Sequence, residues 1–135
     1  MPVYKWQRRT TEHFGLVWFP IVRFELETRE GQFRPLALQI DSGAVVSLLR
    51  RSSADLLGVS LESGKRIELT SVGDAKTGAY VHSVRTRFNE SLTREVRFAI
   101  AETEDVPNLL GRLDVFDFLR IVFDPVNHET QVTSV

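Results

Sequence analysis

The sequence predicts a small all-β protein, a closed barrel with one or two short helices. A chain of 135 residues fits a single domain that is large enough to bury a core. Short apolar or alternating segments recur along it, and turn-forming residues separate them. No apolar run reaches the roughly 18 residues that a membrane-spanning helix needs, and nothing repeats at the period of a solenoid.

The predicted elements follow one another in a simple order. A first strand at Val17–Glu27, with Pro20 near its start, turns at Thr28–Gly31 into a second strand at Gln32–Ile40. The later elements are a short helix from Ser52 or Ser53 to Leu57 closed by Gly58, a strand at Arg66–Thr70, a hairpin of Tyr80–Phe88 with Glu95–Ala101, a short helix starting near Leu113, and a terminal hairpin of Leu119–Phe123 with Glu129–Thr133. We expect about seven to nine strands in one domain over residues 1–135, with an N-terminal arm at residues 1–14.

Composition and charge argue against several classes of function. The 17 basic and 18 acidic side chains give a net charge of -1, unlike proteins that bind nucleic acid through a basic surface. There is no cysteine, and the three histidines lack metal-ligand spacing, so we predict no metal and no other cofactor. The N-terminus lacks the features of a secretory signal. We therefore expect a cytoplasmic protein with neither a nucleic-acid nor a membrane partner.

The sharpest feature is Ile40–Ala44, with the sequence Ile-Asp-Ser-Gly-Ala. A strand before Asp41 would hold it on rigid backbone, and Gly43 would let the chain turn close to the carboxylate without a Cβ clash. An exposed turn is the plain alternative, because Asp, Ser and Gly are also favoured turn residues. A second segment, Asn108–Arg112, has the sequence Asn-Leu-Leu-Gly-Arg.

Together these two segments resemble the motifs of the retropepsin-like aspartic proteases. That family has a hydrophobic–Asp–Ser/Thr–Gly–Ala turn, then a flap, then hydrophobic–hydrophobic–Gly, and the resemblance covers roughly residues 22–133. It implies the acid-protease barrel and makes Asp41 the catalytic aspartate. It implies active-site support from Ser42, Gly43, Ala44, Leu110, Gly111 and Arg112. It implies substrate contacts from Gly43, Val45 and Val46 and, in a flap at Ser71–Gly78, from Val72, Gly73, Asp74 and Gly78.

Two consecutive positions depart from the viral members of that family. Many of them carry acidic residues just after the alanine, where they pair with the arginine, whereas this chain has Val45 and Val46. Arg112 therefore lacks that acidic partner, for which Asp114 or Asp55 could substitute. The apolar pair is more similar to cellular, non-viral members.

The number of motifs predicts the assembly. Hydrolysis by this route uses two carboxylates that share a proton around a water, the aspartic protease dyad being the standard example. Only Asp41 is followed by Ser-Gly, so the second carboxylate must come from a second copy across a twofold axis. The C-terminal segment 126–135 and the N-terminal arm are candidates for the interface, and a frayed terminus is the alternative.

We therefore expect a homodimeric aspartic endopeptidase that cleaves a peptide or protein substrate. Two alternatives stay open: a non-catalytic dimeric peptide-binding or scaffold domain of the same fold, and an unrelated small β-barrel that binds an apolar ligand. The distance between the Asp41 carboxylates across a twofold axis would separate the first two functions. The third interpretation predicts an exposed turn at Asp41 and a pocket inside the barrel.

Overall fold

A computed structural model describes residues 2–135, which form a β-barrel with two smaller sheets attached. Within this range there are twelve strands, one α-helix and a short 3-10 helix at Leu61–Ser63. The elements are β1 (Val3–Lys5), β2 (Gln7–Thr11), β3 (Gly15–Phe19), β4 (Ile21–Glu27), β5 (Phe33–Ile40), β6 (Ser47–Leu49), α1 (Ser52–Leu57), β7 (Lys65–Thr70), β8 (Lys76–Asn89), β9 (Leu92–Ala101), β10 (Leu109–Leu110), β11 (Leu119–Asp124) and β12 (Glu129–Ser134).

Six strands close the barrel in the order β4-β5-β10-β6-β9-β8, and β8 pairs back onto β4. The strand β7 continues the sheet beyond β8 and forms a hairpin with it. This architecture confirms the predicted all-β closed barrel.

Alternation along β4 shows how the sequence specifies the barrel wall. Val22, Phe24 and Leu26 are buried, whereas Arg23 between them faces outward. The inner face packs tightly, because the Phe24 ring meets the Phe88 ring edge-on with centroids 5.0 Å apart. Such burial of large apolar side chains is the main favourable term in folding.

The bounds of several predicted strands differ from those in the structure, and two of the differences change how the strands are connected. The strand expected at Val17–Glu27 is divided at Pro20 into β3, which pairs with β2, and β4, which enters the barrel. Proline has no N–H to continue a ladder, and the Pro20 carbonyl instead accepts a hydrogen bond from Ile40 N–H at 3.0 Å. In the β8–β9 hairpin, Asn89 pairs with Leu92, so the connection is shorter than the predicted five residues.

The two predicted helices have opposite outcomes. The helix at Ser52–Leu57 is confirmed, and Gly58 closes it in a left-handed conformation with φ of 72°. The helix expected near Leu113 is wrong, because residues 112–118 form successive turns. Asp114 has a left-handed φ of 66° that interrupts a helix, and a tertiary contact with Arg97 fixes its carboxylate there.

Both terminal regions are strands of one small sheet in the order β1-β12-β11. The predicted arm at 1–14 thus contains β1 and β2, while Met1 lies outside the described residues. Trp6 Nε1 donates a hydrogen bond of 2.8 Å to the Thr130 hydroxyl and fastens the arm to β12. Both hydrogen-bonding edges of β12 are therefore occupied within the chain.

Candidate active site

Asp41 lies directly after β5, in a turn that closes on its own carboxylate. Gly43 N–H donates to Asp41 Oδ1 at 2.9 Å, and Ala44 N–H donates to the Asp41 carbonyl at 3.2 Å. A Cβ on Gly43 would lie 3.2 Å from Oδ1, so a side chain there would press on the carboxylate. Asp41 is half-buried, whereas Ser42 and Gly43 are exposed. The residues 41–46 are called the Asp41 turn below.

A second segment lies beside this turn because β10 is inserted between β5 and β6. It runs parallel to β5, with Leu110 opposite Ile40, and antiparallel to β6, with Leu109 opposite Leu48. Leu110 is fully buried, and its carbonyl accepts a hydrogen bond of 2.9 Å from Asp41 N–H. Residues 109–113 are called the supporting segment.

The supporting segment continues along the Asp41 turn with further backbone bonds. Arg112 N–H donates to the Ala44 carbonyl at 3.0 Å, and Leu113 N–H donates to the Val45 carbonyl at 2.8 Å. Gly111 lies at the closest approach, since a Cβ there would be 2.6 Å from the Val46 carbonyl oxygen. Only glycine fits at this position unless the supporting segment or the Asp41 turn moves.

Arg112 acts on the turn through its side chain as well. Its Nη1 donates a hydrogen bond of 2.7 Å to the Ser42 carbonyl, and it forms no ion pair with any other residue of the range 2–135. The expectation that Asp114 or Asp55 would be its partner is wrong. Val45 and Val46 stand where many viral members have acidic residues, and the Ser42 carbonyl is the hydrogen-bond partner of the Arg112 guanidinium instead.

Asp114 is instead bound by Arg97. Its carboxylate accepts hydrogen bonds from Arg97 Nε at 2.8 Å, from Nη2 at 2.9 Å and from the Arg97 backbone N–H at 3.0 Å. The hydrogen bonds from the Arg97 side chain lower the pKa of Asp114, against an opposing effect of partial burial.

The predicted flap is the tip of the β7–β8 hairpin. Ser71 N–H donates to the Ala75 carbonyl at 2.9 Å, and Asp74 N–H donates to the Ser71 carbonyl at 3.1 Å. Gly73 and Asp74 have positive φ values of 83° and 62°, as a tight hairpin tip requires. Val72 projects fully into solvent.

Gly78 lies apart from the other predicted flap residues. It is within β8, opposite Glu68, and the Arg66–Glu102 ion pair passes over it. A Cβ there would be 2.6 Å from Glu102 Oε1, so this glycine makes room for the ion pair. The structure thus brings together Asp41, Ser42, Gly43, Ala44, Val45, Val46, Leu110, Gly111 and Arg112, and it places Val72, Gly73 and Asp74 together in the separate hairpin tip.

One residue of this site escapes sequence reasoning. Ser47 is fully buried at the start of β6, and its hydroxyl oxygen accepts a hydrogen bond of 2.9 Å from Gly111 N–H. The available signal is a single polar residue in the apolar run Val-Val-Ser-Leu-Leu, because a buried hydroxyl must find a partner.

Chemically, the site offers one carboxylate, that of Asp41, held by a hydrogen bond within its own turn. Among residues 2–135, no three His, Asp or Glu side chains are grouped as a metal site. No helix in the same range has the length and apolar character needed to cross a bilayer.

Comparisons with solved structures identify the fold. A retropepsin-like aspartic protease from Rickettsia conorii aligns with a TM-score of 0.60 at 12% identity, over 96% of this chain and 99% of that one. The EIAV protease in complex with the inhibitor HBY-793 aligns with a TM-score of 0.54 at 18% identity, over 77% of this chain and 88% of that one. No family model and no curated protein matches the sequence. The chain therefore has the retropepsin-like fold, as the two motifs predicted.

Proposed function

We propose that the protein is a homodimeric aspartic endopeptidase in which two Asp41 side chains activate a water. The observation that carries this proposal is the way Asp41 is held. Its carboxylate accepts the Gly43 N–H within the turn, and the backbone around it is bonded to the supporting segment. Rigid placement of a carboxylate with an open face suits acid–base chemistry. The retropepsin-like fold supports the same assignment.

In the proposed reaction, the two carboxylates share one proton because like charges at close range cannot both ionise. The ionised Asp41 takes a proton from the water while the water oxygen bonds to the scissile carbonyl carbon. The protonated Asp41 of the second copy polarises the carbonyl oxygen. The carbon–nitrogen bond then breaks, and the leaving nitrogen takes a proton from the dyad.

The second copy is needed because one chain supplies only one such aspartate. Ser42 is exposed, and its hydroxyl has no hydrogen-bond partner among residues 2–135. We assign it to bonds across the twofold axis. The single domain 1–135 would dimerise with help from the arm at 1–14 and the segment 126–135. Since both edges of β12 are occupied, contact there would use the faces of the terminal sheet or its outer strands β1 and β11.

The substrate would lie extended between the Asp41 turn and the flap. Gly43 would bind its backbone, and Val45, which is 60% exposed, would favour apolar side chains beside the scissile bond together with Val46. Val72, Gly73 and Asp74 would close over the peptide from the hairpin tip, with Gly78 behind them in β8. The cytoplasmic location and the absence of nucleic-acid and membrane partners remain predictions from the sequence.

Digestion of a peptide library at several pH values tests the proposal. Asp41→Asn should reduce cleavage by at least about a thousandfold while the fold and the dimer persist. The matched control is Asp117→Asn, which changes an exposed aspartate outside the Asp41 turn and should cleave like wild type. Full peptidase activity in Asp41→Asn would overturn the assignment.

The alternative of a non-catalytic peptide-binding domain has its own outcome. In that case wild type and Asp41→Asn would both sediment as dimers and bind peptides equally, and neither would cleave. A chain that stays monomeric at all concentrations would exclude the two-carboxylate mechanism.

A further inference from the structure

We propose that Ser47 is a positioning residue for the Asp41 carboxylate and that it acts through Gly111. This inference rests on the proposed function. Ser47 is fully buried, and the hydrogen bond from Gly111 N–H to its hydroxyl oxygen measures 2.9 Å. Its hydroxyl makes no hydrogen bond to the Asp41 carboxylate among residues 2–135, and its full burial keeps it out of reach of a substrate. Its effect on Asp41 must therefore pass through the supporting segment.

Among residues 2–135, the Ser47 hydroxyl is the acceptor that Gly111 N–H uses, and no second hydrogen bond is made by this N–H. The residue is buried, and its Cα faces the Val46 carbonyl so closely that a Cβ would lie 2.6 Å from that oxygen. A buried N–H without an acceptor is costly, and such groups are nearly always paired in folded proteins. Without the Ser47 hydroxyl, the chain at Gly111 would have to move toward another acceptor or toward water.

Movement at Gly111 would reach Asp41 from both sides. The preceding residue, Leu110, accepts the Asp41 N–H, and the following residue, Arg112, donates to the Ser42 and Ala44 carbonyls. A displaced Gly111 would therefore shift the backbone on both sides of the carboxylate.

The strand pairing alone gives little resistance to such a shift. The strand β10 has only two residues, paired at two positions with β5 and at one position with β6. The hydrogen bond that the side chain of Ser47, the first residue of β6, accepts from Gly111 N–H adds a fixed point to this short ladder. Misplacement of a catalytic group by about 1 Å can cost about a hundredfold in rate.

A second buried hydroxyl provides the matched control. Thr86 is also fully buried, and its hydroxyl donates to the Val84 carbonyl at 3.2 Å within β8, outside the Asp41 turn and the supporting segment. Thr86→Val and Ser47→Ala each remove one buried hydroxyl. A role in stability alone predicts that the two variants behave alike.

The kinetic test compares these variants with wild type, at a temperature at which all are folded. Ser47→Ala should lower kcat by about tenfold to a hundredfold and change KM by less than about threefold. Thr86→Val should stay within about twofold of wild type in both constants, and Ser47→Thr, which keeps the hydroxyl, should recover most of the lost kcat. Equal losses in Ser47→Ala and Thr86→Val would overturn the proposal.

A second measurement needs no peptidase activity, so it separates failure of this inference from failure of the proposed function. Because Gly43 N–H donates to Asp41 Oδ1, the NMR shift of the Gly43 amide should follow the ionisation of that carboxylate. Ser47→Ala should reduce the pH-dependent shift change by half or more, and Thr86→Val should preserve it. An unaltered Gly43 titration in Ser47→Ala would refute the positioning role even if no peptide is ever cleaved. If Ser47→Ala does not fold, Ser47→Cys replaces the hydroxyl with a weak acceptor of similar size and should show the same effect to a smaller extent.

Discussion

The Asp41 turn and the flap tip both connect β-strands, yet they are held in different ways. Hydrogen bonds with a segment distant in sequence fix the Asp41 turn, including the one that Leu110 accepts and those that Arg112 donates. The flap tip is closed by bonds among its own residues, between Ser71 and Ala75 and between Asp74 and Ser71. The first connection is thus fixed by tertiary structure and the second by local structure.

Burial separates the two regions in the same way. Leu110 beneath the Asp41 turn is 0% exposed, whereas Val72 at the flap tip projects entirely into solvent. Regions with few buried contacts open locally at low cost, whereas regions tied into the core open only with it. The proposed peptidase function would use this division, because a catalytic carboxylate has to stay fixed while a cover over the substrate opens and closes.

A matched pair of glycine substitutions gives the largest expected effect. Gly111→Ala places a Cβ at 2.6 Å from the Val46 carbonyl and should lower the free energy of unfolding by about 3 kcal/mol or more. Gly73→Ala places its Cβ in open space and should cost only about 1 kcal/mol, from the left-handed φ of 83°. Urea unfolding of both variants beside wild type measures the two losses.

The order of the two losses is the decisive result. If Gly73→Ala were as damaging as Gly111→Ala, the flap tip would be bound into the structure as firmly as the Asp41 turn. The comparison between the two regions would then be wrong.

Arg112 tests whether a side chain adds to the backbone bonds of the Asp41 turn. Arg112→Gln loses the 2.7 Å charge-assisted bond to the Ser42 carbonyl. Loss of this bond should lower the free energy of unfolding by about 1 kcal/mol and the peptidase activity by about tenfold. The loss of stability is small because water partly screens an exposed arginine. The control Arg120→Gln changes an exposed arginine on β11 and should do neither. Identical unfolding curves and activities for the two variants would show that the backbone bonds suffice.

The parts of this site that could be predicted from the sequence are those encoded locally. Asp41 and Gly43 are two positions apart in the chain, so their motif predicts a turn and the short-range hydrogen bond within it, whereas the bonds that fix this turn come from the supporting segment. The barrel was predictable for a similar reason, since alternation along each strand marks the buried face. The rest depends on contacts between distant segments. The hydroxyl of Ser47 matters only because Gly111 folds against it.

The same reason explains the predictions that were wrong. Apolar spacing after Leu113 indicates a helix, but the contact of Asp114 with Arg97 from β9 holds turns there instead. Asp114 or Asp55 was expected to substitute as the partner of Arg112. The Ser42 carbonyl is its partner instead, and a backbone carbonyl in that role leaves no trace in the sequence. Both outcomes follow from tertiary contacts that override local propensity.

The smallest expected effect concerns the ion pair of Arg97 with Asp114, which lies in the turns directly after the supporting segment. Hydrogen bonds from Arg97 hold the pKa of Asp114 below the ordinary aspartate value of 3.8. Because the pKa of Asp114 is lower in the folded state than in the unfolded state, this contact stabilises the fold at pH values above the unfolded-state pKa. The stabilisation is lost as the pH falls through the folded-state pKa. The free energy of unfolding of wild type should therefore fall more steeply between about pH 5 and about pH 2 than that of Asp114→Asn.

Asparagine is the right replacement because it tolerates the left-handed φ of 66° at this position, so backbone strain does not obscure the electrostatic effect. The difference should be modest, since the Arg97 side chain is 53% exposed and solvent screens the pair. Asp117→Asn, at an exposed position nearby, should keep the wild-type slope. If chemical unfolding measured across this pH range gives parallel curves for wild type and Asp114→Asn, the Arg97 contact does not stabilise the turns after the supporting segment. Backbone hydrogen bonds, such as that from Val115 N–H to the Arg112 carbonyl, would then hold that region alone.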